Sequence, residues 1–459
     1  MSRRFLFTVW PFAGHLLPML SIGIALRERG HEVCFYSGES ACETIEQAGF
    51  ELFPFDRLSE EHVVQMLGAV DGAGRRGRPE GARMLNLLRN WLVETIPAQV
   101  TDLRGVLGSW HPDAIFTDMS LWGPMLVLWE AEQIPVALCS TIMGPQIPGP
   151  DAPALGYGLR PPRTRSGRLL STALNRVAEL CATPMRRRLD DVRAQHGLGP
   201  LGESVNRYTA RLPLYIVSNV RELDYNRRDL PESVHYVGHC IWYPERAGSQ
   251  QWLDAIPTGR PWVHVTESTM ASGDPFLLRT AIAALAQEPL EVILTTGEER
   301  YESVLGDGAL PANIHVAPWL SHGELLPRCA ALVTLGGTST VLAAAQAGVP
   351  MVLVPNNWDK PNNARRVTEV GAGIRLSARR LDEQTLRVAV REVLAEPSYR
   401  EAAQQLAGAL ASAPGPARAA ELLEQLTPTR DAGSAFPALP TDAGSVSASR
   451  LVLSHRGAR

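Results

Sequence analysis

The sequence predicts an α/β protein built from two doubly wound, Rossmann-like domains that face each other across a cleft. Short apolar runs alternate with longer amphipathic stretches, and this alternation restarts near Pro261. The 459 residues suit two domains of about 200 residues better than one. Apolar residues make up 45% of the chain, enough to fill a core in each.

In the first series, RFLFTVW (4–10) reads as a strand, LLPMLSIGIALRER as a helix and HEVCFYS as a second strand. Further strands are expected at 113–119, 135–141 and 214–220. Runs this apolar, separated by helices, imply parallel order with both sheet faces covered. The segment 56–105, helical but broken by Gly and Arg, and the Pro- and Gly-rich 143–165 read as long insertions that shape a binding site. The second series has strands at 262–266, 290–296, 313–317, 331–335 and 351–355, with helices at 275–287, 338–347, 362–370 and 383–395. This gives a first domain over 1–240, a linker over 241–260 and a second domain over 261–426. Residues 427–459, rich in Pro, Ala, Gly, Ser and Thr, read as a disordered tail.

The net charge of −4 arises from 48 acidic and 44 basic residues, a balance that gives no electrostatic footprint for nucleic acid or an anionic membrane. Six cysteines without C-x-x-C spacing read as bystanders, neither a disulfide frame nor a zinc site. No apolar run approaches the roughly 18–20 residues of a membrane span, and a cytoplasmic location is expected. The partner is expected to be a small molecule, and a homodimer is compatible with the sequence.

Five segments carry chemistry. The turn Leu335-Gly336-Gly337-Thr338-Ser339-Thr340 follows a strand and opens a helix. Its glycines permit close backbone approach, and the helix start offers unpaired N–H groups to a phosphate. An ordinary capped strand-to-helix turn would look the same. Trp319 ends a strand, where it can stack on a flat base or simply wall a cleft. Asp359, with Lys360 and Asn363 nearby, stands on a strand-end loop where it can accept from sugar hydroxyls. His15 follows the first strand and Asp118 ends another, so the carboxylate can orient the imidazole as a general base. Ser268 and Thr269 follow the first strand of the second series and can face the same cleft.

The order and spacing of these segments, from GHLLPML through PDAIFTD and RPWVHVTEST to GGTSTVLAAAQAGVPMVLVPNNWDKPNNARRV, resemble the GT-B glycosyltransferase superfamily. The likeness is to the macrolide and natural-product branch related to UDP-glycosyltransferases, and it spans about residues 1–425. It implies an inverting transferase that moves a sugar from a UDP- or dTDP-sugar co-substrate to a hydroxyl or amine of a small apolar acceptor. His15 would be the base and Asp118 its partner, with no metal or other cofactor required. It further implies that Trp319 stacks on the pyrimidine, that Thr269, Gly337 and Thr340 contact the diphosphate and Asp359 the sugar, with Ser268, Gly336, Thr338 and Lys360 also in the donor site. A C-terminal helix within 398–426 would cross back onto the first domain.

Two residues depart from that family's pattern. Leu335 stands where the family has a His that donates to the diphosphate, a bond worth a few kcal/mol in the transition state. Lys360 stands where Gln is common, and a cation there suits either the diphosphate or an unusual sugar. Leu335 keeps open a second reading, a catalytically weak auxiliary or binding protein. A dinucleotide oxidoreductase would need G-x-G-x-x-G after the first strand, where the chain has PFAGHL.

Overall fold

The structure, a computed structural model, describes residues 2–71, 82–244, 249–267, 274–297, 300–305 and 310–426. The segment 427–459, expected to be a tail, lies outside the described residues. Among the described residues, strands β1 (Arg4–Thr8), β2 (Glu32–Ser37), β3 (Glu51–Pro54), β4 (Ala114–Asp118), β5 (Val136–Ser140), β6 (Leu214–Val217) and β7 (Val234–Tyr236) form one parallel sheet in the order β3-β2-β1-β4-β5-β6-β7. A second parallel sheet comprises β8 (Trp262–Thr266), β9 (Glu291–Thr295), β10 (Ile314–Ala317), β11 (Cys329–Thr334), β12 (Met351–Leu353) and β13 (Gly373–Arg375), in the order β10-β9-β8-β11-β12-β13. The central strands β1, β4, β5, β8 and β9 are almost wholly buried, as strands covered by helices on both faces must be.

The sequence pattern missed β3, β7 and β13. All three are short edge strands whose residues mix Gly, Pro, Glu and His with few apolar positions, so they lack the run that marks a central strand. Two helices, Arg165–Cys181 and Thr183–Gln195, also went unseen. The buried positions of the first are the polar Ser171 and Asn175, the reverse of the pattern that identifies a core-facing helix.

In each sheet the strand order reverses at one place, between β1 and β4 and between β8 and β11. Crossovers there leave in opposite directions and open a crevice at the carboxyl ends of the strands. The paired strands end level, Thr8 opposite Thr117 and Thr266 opposite Thr334. The turns that follow therefore start from a common floor.

The chain closes by returning to its first sheet. Helix Pro397–Ser412 stays with the second domain, its Ala403, Leu406 and Leu410 sharing a core with Val341 and Leu342. Helix Pro416–Leu426 crosses, placing Ala419, Ala420, Leu422 and Leu423 in the core of Phe5, Phe7 and Leu20. The crossing needs backbone contact: a Cβ on Gly238 (φ +106°) would lie 2.6 Å from the Ala413 Cβ. Glu424 pins the returning helix by bonds from Arg29 (2.8 and 2.7 Å) and His31 (2.8 Å). The bonds from Arg29 come first in holding its carboxyl down to about 2.

A carboxyl depressed from 4.5 to about 2 stabilises the fold fully above pH 4.5 and loses that contribution as pH falls toward 2. Glu424→Gln should therefore cost about 1 kcal/mol at pH 7, the scale of a partly solvated pair. In denaturant titrations the gap to the parent protein should narrow below pH 4.5. A gap of constant size would show that the charge is not what holds the helix.

Candidate active site between the two sheets

A cavity of about 1040 Å³ lies between the carboxyl ends of the two sheets. It is lined by His15 and Ser120 from the first domain and by Trp319, Gly337, Thr338 and Asp359 from the second.

His15 sits in the first turn of helix Ala13–Glu28, which begins three residues before the expected start. Its Nδ1 is bonded to Asp118 and lies 3.2 Å from the Thr141 hydroxyl. Asp118 is wholly buried at the end of β4, while 25% of the His15 side chain stays exposed. The second Asp118 oxygen accepts from the Ser120 amide and hydroxyl, each at 2.6 Å. The carboxylate is thus fixed from behind, so the Nδ1–H tautomer faces Asp118 and Nε2 is left as the accepting atom. Burial pulls the imidazole pKa down, but the Asp118 charge, the bond to it and the Asp359 charge outweigh burial and raise it above 6.5.

Opposite lies the Gly-rich turn. Gly336 (φ +92°) makes the bend that a side chain would strain, and helix Thr338–Gln346 starts one residue after Gly337. The first-turn amides of Thr338, Ser339 and Thr340 have no partner within the helix by its geometry, and all three residues line the cavity. Their neighbour Asp359 accepts from Thr338 Oγ1 at 2.6 Å and from Asn363 Nδ2 at 2.7 Å. The same Asn363 nitrogen lies 3.0 Å from the Gly336 carbonyl and 3.0 Å from Thr338 Oγ1. Asn363 therefore welds the turn to the loop that carries Asp359. It stood in the sequence only as a neighbour of Asp359, and its role became visible once the two segments met.

Gly336 itself is buried and shapes the turn from beneath. Leu335 also points away from the cavity, 2% exposed within the apolar cluster of Val265, Phe276 and Val352. Lys360 lines the cavity, but its ammonium donates to Asn357 Oδ1 at 2.7 Å. Trp319 is half-buried at the cavity wall beside His322, whose pKa is pushed down to about 4 by burial and then by the charge of His239. Ser268 and Thr269 lie outside the described residues. Among the described residues, no group of three or more His, Cys, Asp or Glu is placed to hold a metal ion, no helix is long and apolar enough to cross a membrane, and all six cysteines are unpaired.

Other lining residues carried no motif. Trp358 is held at φ 53°, a left-handed conformation costly for a bulky residue, and packs edge-on to Trp91 at 6.1 Å. A buried ion pair joins Glu267, after β8, to Arg300. Across the domains, Arg366 bonds Asp224 at 2.7 Å with both side chains buried, and its guanidinium lies 4.3 Å from the Tyr225 ring centroid. Asn362 Oδ1 accepts from the amides of Gly156 (2.7 Å) and Gly158 (3.2 Å), tying the loop after β5 to helix Lys360–Glu369.

The His15 pair has a measurable signature. A raised pKa means the pair stabilises the fold most below pH 6.5 and loses that contribution as pH rises through the folded value. The His15 imidazole, followed by NMR with His15→Gln as the assignment control, should titrate above 6.5. Asp118→Asn should move it down, and Asp359→Asn should move it down less. A titration unmoved by Asp118→Asn would show that the contact does not set the base.

Known proteins share this architecture. Residues 279–426 match the family model "Erythromycin biosynthesis protein CIII-like, C-terminal domain". Over 435 residues, 93% of this chain and 100% of the relative, the sequence is 33% identical to 4'-demethylrebeccamycin synthase of Lentzea aerocolonigenes. The crystal structure of the kitacinnamycin glycotransferase superposes with a TM-score of 0.71 at 22% identity, covering 93% of this chain and 99% of that one. A Streptomyces sp. SF2575 glycosyltransferase, solved in complex with thymidine diphosphate, superposes at 0.65 and 20% identity, covering 92% and 99%. With two parallel Rossmann-like sheets enclosing one cavity and a relative matched from end to end, the chain belongs to the GT-B glycosyltransferases of natural-product biosynthesis and is a nucleotide-sugar-dependent enzyme.

Proposed function

We propose that this protein transfers a sugar, with inversion, from a dTDP- or UDP-sugar to a hydroxyl or amine of a small apolar acceptor. The observation that carries the reading is the face-to-face placement of His15–Asp118 and the Gly337–Thr340 turn across one cavity, with Asp359 between them in charge if not in contact. The acceptor enters the half lined by Leu88, Trp122, Ile142 and Leu155, an apolar wall that suits a scaffold of matching polarity.

His15 Nε2 takes the acceptor proton as the acceptor heteroatom bonds to the anomeric carbon. The bond from that carbon to the diphosphate oxygen breaks on the opposite face, and the electron pair leaves with the nucleotide. Asp118 balances the imidazolium that forms. The first-turn amides and the Thr340 hydroxyl meet the charge on the diphosphate, in a reading that needs no resident metal. Trp319 takes the pyrimidine on its ring face, and Asp359 accepts from sugar hydroxyls. Ser268 and Thr269 retain their proposed place near the diphosphate. The thymidine diphosphate bound by the Streptomyces sp. SF2575 enzyme favours dTDP over UDP as the first nucleotide to try.

Calorimetric titration with dTDP, UDP and GDP should give binding to a pyrimidine diphosphate that weakens at least about tenfold in Trp319→Ala, the loss of one stacked base. No binding to any of the three at millimolar concentration would overturn the proposed donor site and its preference for a pyrimidine diphosphate. Once an acceptor is found, His15→Ala should lower kcat about 10²- to 10⁴-fold while leaving nucleotide affinity unchanged. Loss of both together would mean that the residue serves the fold.

A further inference from the structure

Helix Arg165–Cys181 is built inside out. Ser171 and Asn175 are buried, both bonding the Ala152 carbonyl, with Asn175 Nδ2 at 3.2 Å. Leu169, Leu170, Ala173, Leu174, Val177 and Leu180 face outward. At 100° per residue these six fall in one continuous arc of under half the helix circumference. Leu169 is 73% exposed, Leu180 71% and Leu170 61%. Isolated exposed leucines are ordinary, but a contiguous apolar face on a helix marks a surface that is covered in use.

The charge around the arc indicates what covers it. Arg165 and Arg176 each stand one helical turn before an outward leucine, Leu169 and Leu180 respectively, and neither has an acidic partner among the described residues. Two copies meeting on this face would bring these unpaired arginines toward each other, which disfavours self-association. A protein partner ordinarily engages one hydrogen bond per 100–200 Å², and the polar side chains within the arc are Ser166 in the first turn, whose hydroxyl already pairs with that of Thr164 at 3.1 Å, and the Cys181 thiol at the far end. A large apolar face edged by arginines, on a helix of low mean hydropathy, is the pattern of a helix lying in a bilayer interface. The overall net charge of −4 conceals this local feature because it averages over the whole surface.

The patch is continuous with the cavity. Leu174 and Val177 belong to both, and the cavity is also lined by Tyr157, which is 59% exposed on the loop before the helix. We infer that helix Arg165–Cys181 docks this protein onto the surface of an anionic phospholipid bilayer, with the cavity mouth opening against the lipid. An apolar ligand dissolved in the bilayer could then reach the cavity without crossing water. The lipid contact itself does not rest on the catalytic reading of the cavity.

Flotation of the full chain with unilamellar vesicles tests this. Vesicles of phosphatidylcholine mixed with phosphatidylglycerol should recruit the protein at least about tenfold better than phosphatidylcholine alone, and salt should weaken the effect. Leu169→Glu with Leu180→Glu should abolish recruitment without changing the melting temperature, since both side chains already face water. Arg165→Gln with Arg176→Gln should erase the preference for anionic vesicles. Failure to float with either vesicle would overturn the proposal. So would sedimentation equilibrium showing a dimer that the glutamate pair dissociates, or a defined acidic protein partner whose binding the same pair abolishes.

Discussion

Arg366 reaches from the second domain to Asp224 of the first, and with both groups removed from water the pair tolerates one seating of sheet on sheet. A buried guanidinium stripped of its carboxylate costs several kcal/mol, so small displacements are penalised steeply. Stacking on Tyr225 and the bond from Tyr236 to Asp224 restrict it further. Asn362, on the same helix as Arg366, holds the loop after β5 by two backbone amides. Farther along, helix Pro416–Leu426 ties the chain's end to the first core. The cavity is the space these three ties leave.

Each half of the cavity grows from a place where strand order reverses, and each half is held by bonds within its own domain. In the first, Ser120 fixes Asp118 and Asp118 fixes His15, so that one ring nitrogen is committed and the other is presented. In the second, Asn363 locks the Gly-rich turn to the Asp359 loop. The halves nonetheless sense each other. The Asp359 charge raises the His15 pKa from across the cleft, so the basicity of the first domain depends partly on how the second is seated.

The parallel sheets and their central strands were legible because burial on both faces writes itself as apolar runs. That His15, Trp319, Thr338, Thr340 and Asp359 face one cavity, with Asp118 behind His15, was legible because strand ends and Gly-rich turns are local features; the roles given to them remain proposals. What escaped depends on tertiary contact. Asn363 matters through three bonds to segments more than a few residues away or brought near by the fold, and Trp358 through a backbone angle that no composition signals. Arg366 and Asp224 are 142 positions apart, with nothing in either neighbourhood to mark a pair. The helix Arg165–Cys181 was missed because its buried side is polar, which inverts the rule used to find helices.

Leu335 has a consequence for how this protein can change. Its side chain is part of the apolar interior beneath the turn, shared with Val265, Phe276 and Val352, and has no path to the cavity without that interior opening. An imidazole at this position would place a polar ring among those residues before it offered anything to a ligand, at the cost of burying a polar group without a partner. A change at this one position therefore does not by itself supply a donor to the cavity. What the turn presents to a ligand is set by Thr338, Ser339 and Thr340, which line the cavity, while Leu335 fills the interior behind them.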